Sequence, residues 1–267
     1  MLMGDDGGVL SPEILAYYQR GGETSRLSSG AGRLEFLRTW DVLTRVLPVP
    51  PATIVDVGGA TGVYAGPLAV AGHAVRVIDP VPDHVAAAAG VRGVTAELGD
   101  ARELPVPDDS ADAVLLLGPL YHLRERADRL TAWREALRVV RPGGVVVGAA
   151  ISRYAALFDG LSKNLYADPE FDDAVTDGEF GGGGYFTSAY LHHPAEARAE
   201  AEAAGLAGAR TVIVEGPLAF ADKELQDILA DPVRTELTLD RLRVVEADPG
   251  MAAATGHLLV IGHRGGQ

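Results

Sequence analysis

The chain has 267 residues, of which 47% are hydrophobic and 22% charged, and it carries a formal net charge of −14. A surface this acidic repels phosphate backbones, so DNA or RNA is not expected as a ligand. The chain has no cysteine, which excludes disulfides, thiolate metal sites and cysteine nucleophiles. No apolar run approaches the ~20 residues that span a bilayer, and Asp5 and Asp6 stand where a secretory signal would be basic. We therefore expect a cytoplasmic protein without membrane contact, as a monomer or a homodimer.

The first 50 residues are predicted to form a helical lid. Ser11-Pro12-Glu13 is the N-cap and first-turn proline pattern that opens a short helix, here over 11–20. Apolar residues then recur at helical spacing from Gly32 to Leu47, and the prolines from Pro48 onward end that helix.

Strands and helices alternate over residues 51–150, the predicted cofactor-binding core. The strand-like runs are nearly continuous in apolar residues, which is typical of strands covered by helices on both faces. Alternation of this kind predicts a parallel, doubly wound α/β sheet, with Trp133 in its core. The expected strands are 52–58, 73–79, 93–99, 111–118 and 144–150, and the expected helices are 62–72, 81–89 and 124–140.

The pattern changes after residue 150. Aromatic and acidic residues, followed by the run Gly181–Gly184, predict a helical cap insertion over 151–190 that ends in a flexible hinge. Residues 191–267 are expected to complete a seven-stranded, mostly parallel Rossmann-like sheet and to add substrate-side helices. The elements predicted there are a helix at 194–205, a sixth strand at 208–216, two short helices and a seventh strand at 256–263.

The segment IVDVGGATGVY (54–64) places a glycine-rich turn after the first strand. Ligands of doubly wound sheets bind at the carboxyl ends of the strands, and the N–H groups that begin the next helix can hold a cofactor there. The dinucleotide fingerprint fits poorly, because its second and third glycine positions, counted from Gly58, hold Ala60 and Val63. A Walker loop would need Gly-Lys-Ser/Thr, which this turn lacks.

This loop and four further motifs resemble the class I S-adenosylmethionine-dependent methyltransferases. Their first motif, an acidic residue at the end of strand one followed by G-x-G-x-G, is similar to 56–62, with Ala60 at the middle glycine. Asp79 ends strand two and Asp100 follows strand three, as in the second and third motifs. The fourth motif resembles 111–123, and Arg-Pro-Gly-Gly at 141–144 is similar to the family's turn before strand five. The resemblance spans residues 50–150 and extends more loosely to the N-terminal helices and the last two strands.

The resemblance implies S-adenosylmethionine as the cofactor. The loop would contact its methionine half, Asp79 would accept hydrogen bonds from both ribose hydroxyls, and Asp100 would accept from the adenine amino group. Two interpretations of Asp56 stay open, because it could touch the ligand or only orient the loop. The expected cofactor contacts are Tyr18, Arg26, Asp56, Gly58, Gly59, Ala60, Gly62, Asp79, Pro80, Asp100, Ala101, Leu117 and Gly118.

Tyr121 and His122, after strand four, are the candidate catalytic residues, since that place faces the methyl group in this fold. A histidine with a pKa near 6.5 can take a proton at neutral pH; alternatively, His122 contacts the amino-acid end of the cofactor or only packs. No metal site is expected, because the adjacent His192 and His193 point in different directions on an extended chain. The residues expected to bind the acceptor, most of them aromatic as in other small-molecule pockets, are Tyr17, Tyr154, Phe158, Tyr185, Tyr190 and His192.

We therefore expect a methyltransferase that acts on a small molecule through an oxygen, nitrogen or carbon acceptor. Arginine far outnumbers lysine, which points to a high-GC bacterial gene and to specialised biosynthesis. Two alternatives stay open: an enzyme that binds the cofactor for another reaction, such as a cyclisation, and a non-catalytic binding module. Release of S-adenosylhomocysteine with an acceptor distinguishes methyl transfer from both.

Overall fold

The structure is a computed structural model, and it describes residue 14 and residues 27–28, 30–165, 168–182 and 186–266. Strands and helices alternate along most of this length. The strands are β1 (Thr53–Val57), β2 (Ala74–Asp79), β3 (Val94–Leu98), β4 (Ala111–Leu116), β5 (Val140–Ile151), β6 (Glu179–Phe180), β7 (Ala189–Tyr190), β8 (Leu206–Ile213) and β9 (His257–Arg264). The helices are α1 (Gly30–Val46), α2 (Ala65–Val70), α3 (Pro82–Ala89), α4 (Pro119–His122), α5 (Arg126–Val139), α6 (Arg153–Ser162), α7 (Pro169–Thr176), α8 (Pro194–Ala204), α9 (Asp222–Leu229) and α10 (Pro232–Val245), with 3-10 turns at Gly216–Phe220 and Met251–Ala254.

Seven of the strands form one sheet in the order β3-β2-β1-β4-β5-β9-β8. All neighbours pair in parallel except β9, which is antiparallel to both β5 and β8. The predicted seven-stranded, mostly parallel sheet is confirmed. The chain turns outward in both directions from β1, so the strand order reverses between β1 and β4, where ligands of doubly wound sheets bind.

The direction of β9 matters for the site. Because β9 is antiparallel, its first residue lies at the edge where the parallel strands end, and His257 pairs with Ile151 at the end of β5. The end of β8 lies at the same edge, since Ile213 pairs with Leu258. This carboxyl edge therefore runs from the end of β3 to the end of β8.

Apolar clusters cover both faces of the sheet. Val146 and Val147 are neighbours on β5 and therefore point to opposite faces; Val146 packs with Trp133 in one cluster, and Val147 packs with Leu43 in the other. Trp133 is buried, as predicted. A side chain at Gly148 would place its Cβ 2.7 Å from Trp133 Cζ2 and closer still to Cη2, so only glycine fits beneath the indole.

Several predicted boundaries differ from the structure, among them the following two. Helix α2 begins at Ala65 rather than near residue 62, because the glycine-rich turn occupies the preceding residues. Strand β5 begins at Val140, so the Arg-Pro-Gly-Gly segment lies within the strand instead of before it, with Gly143 at φ +79°. The helix expected over 11–20 lies outside the described residues except for Ile14, which is helical and buried.

The insertion after β5 contains more than the predicted helices. Helices α6 and α7 are followed by an antiparallel ribbon of β6 and β7, and Phe171 and Phe180 pack in a small apolar cluster of their own. The backbone N–H of Arg153 donates to the His192 carbonyl oxygen (3.0 Å), which ties the insertion to the end of β5. The expected hinge falls partly on 183–185, outside the described residues.

Helix α1 is fixed over the β8 end of the sheet by a buried ion cluster. Arg38 is fully buried; its Nε donates to the Val214 carbonyl oxygen (3.2 Å) and its Nη2 to Glu246 (2.9 Å). Asp41 on the same helix accepts from Arg243 of α10 at 2.7 Å. These contacts set the height of α1 above the carboxyl edge. None of the described helices combines the length and the apolar character that crossing a bilayer requires.

Candidate active site

The turn after β1 approaches two neighbouring segments so closely that it needs glycine. Gly58 has φ +69° and donates its N–H to the carbonyl oxygen of Ile78 on β2 (2.7 Å). A Cβ on Gly58 would lie 2.9 Å from Pro119 Cδ, and one on Gly59 would lie 2.6 Å from a carboxylate oxygen of Asp56. These two glycines therefore allow the backbone to pass between the ends of β1, β2 and β4.

Ala60 occupies the middle position of the motif and has φ +48°. This left-handed conformation costs a residue with a side chain roughly 1–2 kcal/mol, a cost that glycine does not carry. The turn therefore keeps its glycine-like shape with alanine in place. The N–H of Ala60 donates to Asp79 Oδ2 (2.9 Å), which holds the turn in this conformation.

Asp56 lies beneath the turn and is 1% exposed. Within the described part of the chain, neither of its carboxylate oxygens has a hydrogen-bond partner. Burial, with a smaller contribution from the charge of Asp79, raises the pKa of Asp56 to about 7. A carboxylate in this state is poised to accept hydrogen bonds or to stabilise positive charge.

Asp79 ends β2 and already accepts several hydrogen bonds. Its Oδ1 accepts from the N–H of Val81 (2.9 Å) and lies 3.1 Å from His84 Nδ1, while its Oδ2 accepts from Ala60. An ionised carboxylate offers about four acceptor positions. Two ribose hydroxyls would therefore displace one of these three partners.

Asp100 is held by a residue that the sequence analysis did not include. Both carboxylate oxygens of Asp100 accept from the Arg102 guanidinium, at 3.0 Å from Nε and 2.7 Å from Nη2. Arg102 also donates to Asp128 at 2.8 Å, which anchors the turn to α5. The geometry makes Arg102 the residue that orients Asp100.

A first cavity collects most of the expected cofactor contacts at the carboxyl ends of β1 to β4. Gly62 is not among its lining residues, although its φ of +86° shapes the turn, and Tyr18 and Arg26 lie outside the described residues. The cavity is also lined by residues that were not expected to contact the cofactor, among them Leu27, Val63, Tyr64 and His84. The expected residues that do line this cavity are Asp56, Gly58, Gly59, Ala60, Asp79, Pro80, Asp100, Ala101, Leu117 and Gly118, together with Tyr121 and His122.

Tyr121 and His122 lie on α4, directly after β4, and differ in their surroundings. His122 is buried against the first cavity, and burial lowers the pKa of His122 to about 4. It is therefore neutral at pH 7 and a weak base. Tyr121 is half-buried, donates from its hydroxyl to the carbonyl oxygen of Leu117 (3.4 Å) and lines both the first cavity and a second one.

The second cavity has a volume of about 550 Å³ and lies beside Tyr121 along the carboxyl edge. Several aromatic rings and three carboxylates face it. Of its described lining residues, Lys163 and His257 are the ones that can carry positive charge, and Lys163 pairs with Asp159 (2.8 Å). Its polar and aromatic lining residues are Glu35, Tyr121, Asp159, Ser162, Lys163, Phe171, Phe180, Phe186, Glu215, Phe220 and His257.

None of the residues expected to bind the acceptor lines the second cavity in the described part of the chain. Tyr17 and Tyr185 lie outside the described residues. Tyr154 packs against His193, with ring centroids 5.9 Å apart, and Phe158 packs behind the lining residue Phe220 at 4.7 Å. The insertion therefore forms part of the wall of the second cavity, and these two rings pack outside its lining.

Tyr190 and His192 belong to a buried network that fixes the insertion. The Tyr190 ring lies 3.7 Å from the Arg129 guanidinium carbon, and Arg129 donates to Glu200 at 2.9 and 2.8 Å. His192 Nε2 lies 3.3 Å from the same carboxylate. Burial raises the pKa of Glu200, but hydrogen bonds from His192 and Arg129 outweigh it and hold the pKa at about 2. In the structure both residues are held by this network and neither lines the second cavity.

Glu35, Glu215 and His257 meet at the second cavity. They were not among the site residues predicted from the sequence. Glu215 follows the apolar run Val212–Val214, which resembles the placement of Asp56 and Asp79 at the ends of apolar strands, and this pattern could have found it. The other two residues have no local pattern, because α1 and β9 bring them together from opposite ends of the chain.

The charge of the first cavity fits S-adenosylmethionine. Asp56 and Asp79 are both buried carboxylates at its wall. Two such groups favour a ligand that carries positive charge and disfavour the pyrophosphate of a dinucleotide. A sulfonium and an ammonium group match this environment.

Comparisons with known proteins match the part of the chain that contains β1 to β4. The model of a family described as a methyltransferase domain matches residues 55–148. An uncharacterized methyltransferase of Mycobacterium bovis is 34% identical over 100 residues, which cover 37% of this chain and 40% of that protein. A ubiquinone/menaquinone biosynthesis C-methyltransferase of a Caulobacter strain is 32% identical over 123 residues, covering 40% of this chain and 48% of that protein. The chain thus aligns with less than half the length of these two relatives.

Among solved structures, a methyltransferase of Thermotoga maritima, named as a possible histamine N-methyltransferase, has the same fold with a TM-score of 0.60 at 18% identity. The alignment covers 94% of this chain and 99% of that one. Three observations point to the same fold: the motifs at the ends of β1, β2 and β3, the strand order and the matched domain. The chain has the Rossmann-like fold of class I S-adenosylmethionine-dependent methyltransferases, and its residues 55–148 match the methyltransferase domain.

Proposed function

We propose that this protein transfers a methyl group to a small molecule that is neutral or positively charged, through an oxygen or nitrogen atom. The observation that carries the proposal is the pair of adjacent cavities that share Tyr121 as a common wall. S-adenosylmethionine, the cofactor of the family, supplies an electrophilic methyl group when bound. The second cavity is then the place for the acceptor.

The residues of the first cavity divide the binding of the cofactor among them. Asp79 would accept hydrogen bonds from the ribose hydroxyls. Asp100, oriented by Arg102, would accept one from the adenine amino group. Asp56 would lie near the positively charged end of the cofactor. His122 is assigned to packing against the cofactor rather than to proton transfer, because its pKa of about 4 makes it a poor base at pH 7. Holding both reactants in line is the largest contribution such a site can make, up to roughly 7–11 kcal/mol.

The second cavity supports the choice of acceptor. Its volume of about 550 Å³ suits a small molecule, and rings such as Phe186 and Phe220 suit one with an apolar or aromatic body. Its carboxylates outnumber its cations, which disfavours acceptors with phosphate or carboxylate groups. The net charge of −14 likewise argues against a nucleic acid as the acceptor. A role in bacterial specialised metabolism is part of the proposal and rests on composition alone.

The first test is calorimetric titration of the purified protein with S-adenosylhomocysteine, with NAD and NADP as controls. Micromolar binding of S-adenosylhomocysteine alone supports the cofactor assignment. Protein that binds it is then incubated with S-adenosylmethionine and tyramine, benzylamine or 4-ethylphenol, with total tRNA as the nucleic-acid control. Release of S-adenosylhomocysteine with a small acceptor and not with tRNA supports the proposal; binding without release in any mixture contradicts it.

A further inference from the structure

Three side chains from three separate elements meet at the wall of the second cavity. Glu35 lies on α1, Glu215 follows β8, and His257 begins β9. His257 Nδ1 lies 2.5 Å from Glu215 Oε1 and 3.8 Å from Glu35 Oε2. All three line the cavity in which the proposed acceptor binds.

Glu215 is held rigidly for this contact. It is 2% exposed, and its Oε2 accepts from the backbone N–H of His257 (3.0 Å) and lies 3.2 Å from Thr255 Oγ1. Burial raises the pKa of Glu215, but the attraction of His257 together with the hydrogen bonds from its ring and its backbone N–H outweighs burial and holds the pKa below the usual value. Glu215 is therefore an ionised carboxylate at neutral pH.

An ionised carboxylate can only accept hydrogen bonds, so His257 Nδ1 donates to Glu215. This contact selects the tautomer in which Nε2 is the nitrogen that takes a proton. The side chain of His257 is 25% exposed, in contrast to the buried His122. The carboxylates of Glu35 and Glu215 stabilise the imidazolium once it forms.

The contact geometry indicates a hydrogen-bonded pair and not a set of metal ligands. The ligand-type atoms of the three residues lie within 4.8 Å of one another. However, two ligands of one ion lie roughly 3 Å apart or more when metal–ligand bonds are about 2.1 Å, and Nδ1 and Oε1 are closer than that. The other charged groups that line this cavity, Asp159 and Lys163, already pair with each other.

We propose that His257, oriented by Glu215, accepts the proton that the acceptor loses on methylation. The inference rests on the proposed function and adds a residue with a stated role. The O–H or N–H bond of the acceptor breaks and its proton passes to His257 Nε2. The electron pair of the acceptor forms the bond to the methyl carbon, and the bond from methyl carbon to sulfur breaks with its pair going to sulfur. Glu215 is a positioning residue, and Glu35 adds negative charge beside the imidazolium.

The test compares H257N and E215Q with the wild type. Asparagine keeps a donor toward Glu215 but removes the base, and H263N, an exposed histidine on the same strand, is the matched control. S-adenosylhomocysteine affinity is measured for each variant by calorimetry. Turnover with tyramine, benzylamine and 4-ethylphenol is measured from pH 5.5 to 9.5.

H257N is expected to lose about 10²–10⁴-fold in kcat at pH 7, the usual contribution of a general base. The loss should shrink at high pH, where the acceptor gives up its proton to water. E215Q is expected to lose about tenfold, and the acid limb of its pH profile should move to lower pH, because an imidazolium without the carboxylate loses its proton more easily. Both variants and H263N should bind S-adenosylhomocysteine within twofold of the wild type.

Several outcomes would overturn the assignment. Wild-type turnover in H257N at every pH contradicts it, as does loss of S-adenosylhomocysteine binding in H257N, which would make the histidine a structural residue. Turnover that requires added Mn²⁺ and disappears with EDTA would replace proton transfer by a metal site. If the wild type binds S-adenosylhomocysteine but methylates none of the three acceptors, the proposed function itself fails, and the role of His257 fails with it.

Discussion

The two cavities share a wall but are built in different ways. Every described residue that lines the first cavity, apart from Leu27, lies within the family-matched span 55–148. Of the described residues that line the second cavity, Tyr121 alone lies in that span. The first cavity is formed by the ends of consecutive strands and by backbone turns. The second is formed by side chains of α1, the insertion and the last two strands.

This difference implies that the two halves of the site can be changed separately. A substitution at a strand end of the first cavity alters a turn on which several of the proposed cofactor contacts depend. A substitution in the second cavity alters one side chain and leaves the turns in place. Variants on the two sides should therefore separate cofactor affinity from acceptor affinity. Three predictions probe the two regions, from the largest expected effect to the smallest; the first concerns stability and the other two concern affinity.

The first prediction concerns Asp56. In the protein without cofactor, this residue lowers the free energy of unfolding by an amount that depends on pH. The folded state keeps the proton of Asp56 up to about pH 7, whereas an unfolded chain releases it near pH 4. The folded state therefore binds more protons between these values, and its stability falls as the pH rises from about 4 through 7. The free energy of unfolding of D56N minus that of the wild type should therefore increase between pH 4 and pH 8, by about 4 kcal/mol at most.

Urea unfolding at a series of pH values checks this, with D227N at an exposed position as the control. The gain for D227N should stay near zero at every pH. A difference between D56N and wild type that does not vary with pH would show that Asp56 is ionised in the folded protein.

The second prediction concerns Asp79. D79A should weaken S-adenosylhomocysteine binding by about 2–3 kcal/mol, roughly 30–150-fold, because it removes charge-assisted hydrogen bonds and releases the Ala60 N–H. D79N keeps the shape and should lose less. D83A, an exposed neighbour on α3, is the control, and calorimetry is the measurement. Equal affinity of D79A and wild type would remove Asp79 from the cofactor site.

The smallest effect is expected from Phe220, on the acceptor side. F220A should raise the KM for tyramine about tenfold, since roughly 50 Å² of apolar contact at about 25 cal/mol per Å² is lost, while S-adenosylhomocysteine affinity stays within twofold. F158A removes the ring that packs behind it without lining the cavity. If F158A and F220A change KM equally, the effect comes from loosening of the wall and not from contact with the acceptor.

The sequence predicted the first region well for a physical reason. Strand ends and glycine turns are local in sequence, so patterns of a few residues predicted that Asp56, Gly58 and Asp79 lie together at the carboxyl edge of the sheet. The hydrogen bonds among these residues could not be predicted, nor could those from Arg102 to Asp100. The spacing of residues along the chain does not determine the direction of their side chains.

The second region could not be predicted in the same way. Glu35 and His257 are 222 positions apart in the chain and meet only because α1 is fixed over an antiparallel strand. Aromatic residues of the insertion were expected to face the acceptor, yet Tyr154 and Tyr190 pack against His193 and Arg129. Which face of a short helix or ribbon points inward is decided by such partners. Composition gives the residue types of a wall but not their orientation.

The direction of β9 has a practical consequence. This strand delivers His257 to the edge that holds both cavities, so its other end, Arg264, lies at the opposite edge of the sheet. Eight residues of strand separate the two ends by roughly 23 Å at about 3.3 Å per residue. A fluorescent dye or surface-immobilisation tag attached just after Arg264 would therefore leave ligand entry unobstructed, and the same attachment in the insertion would crowd it.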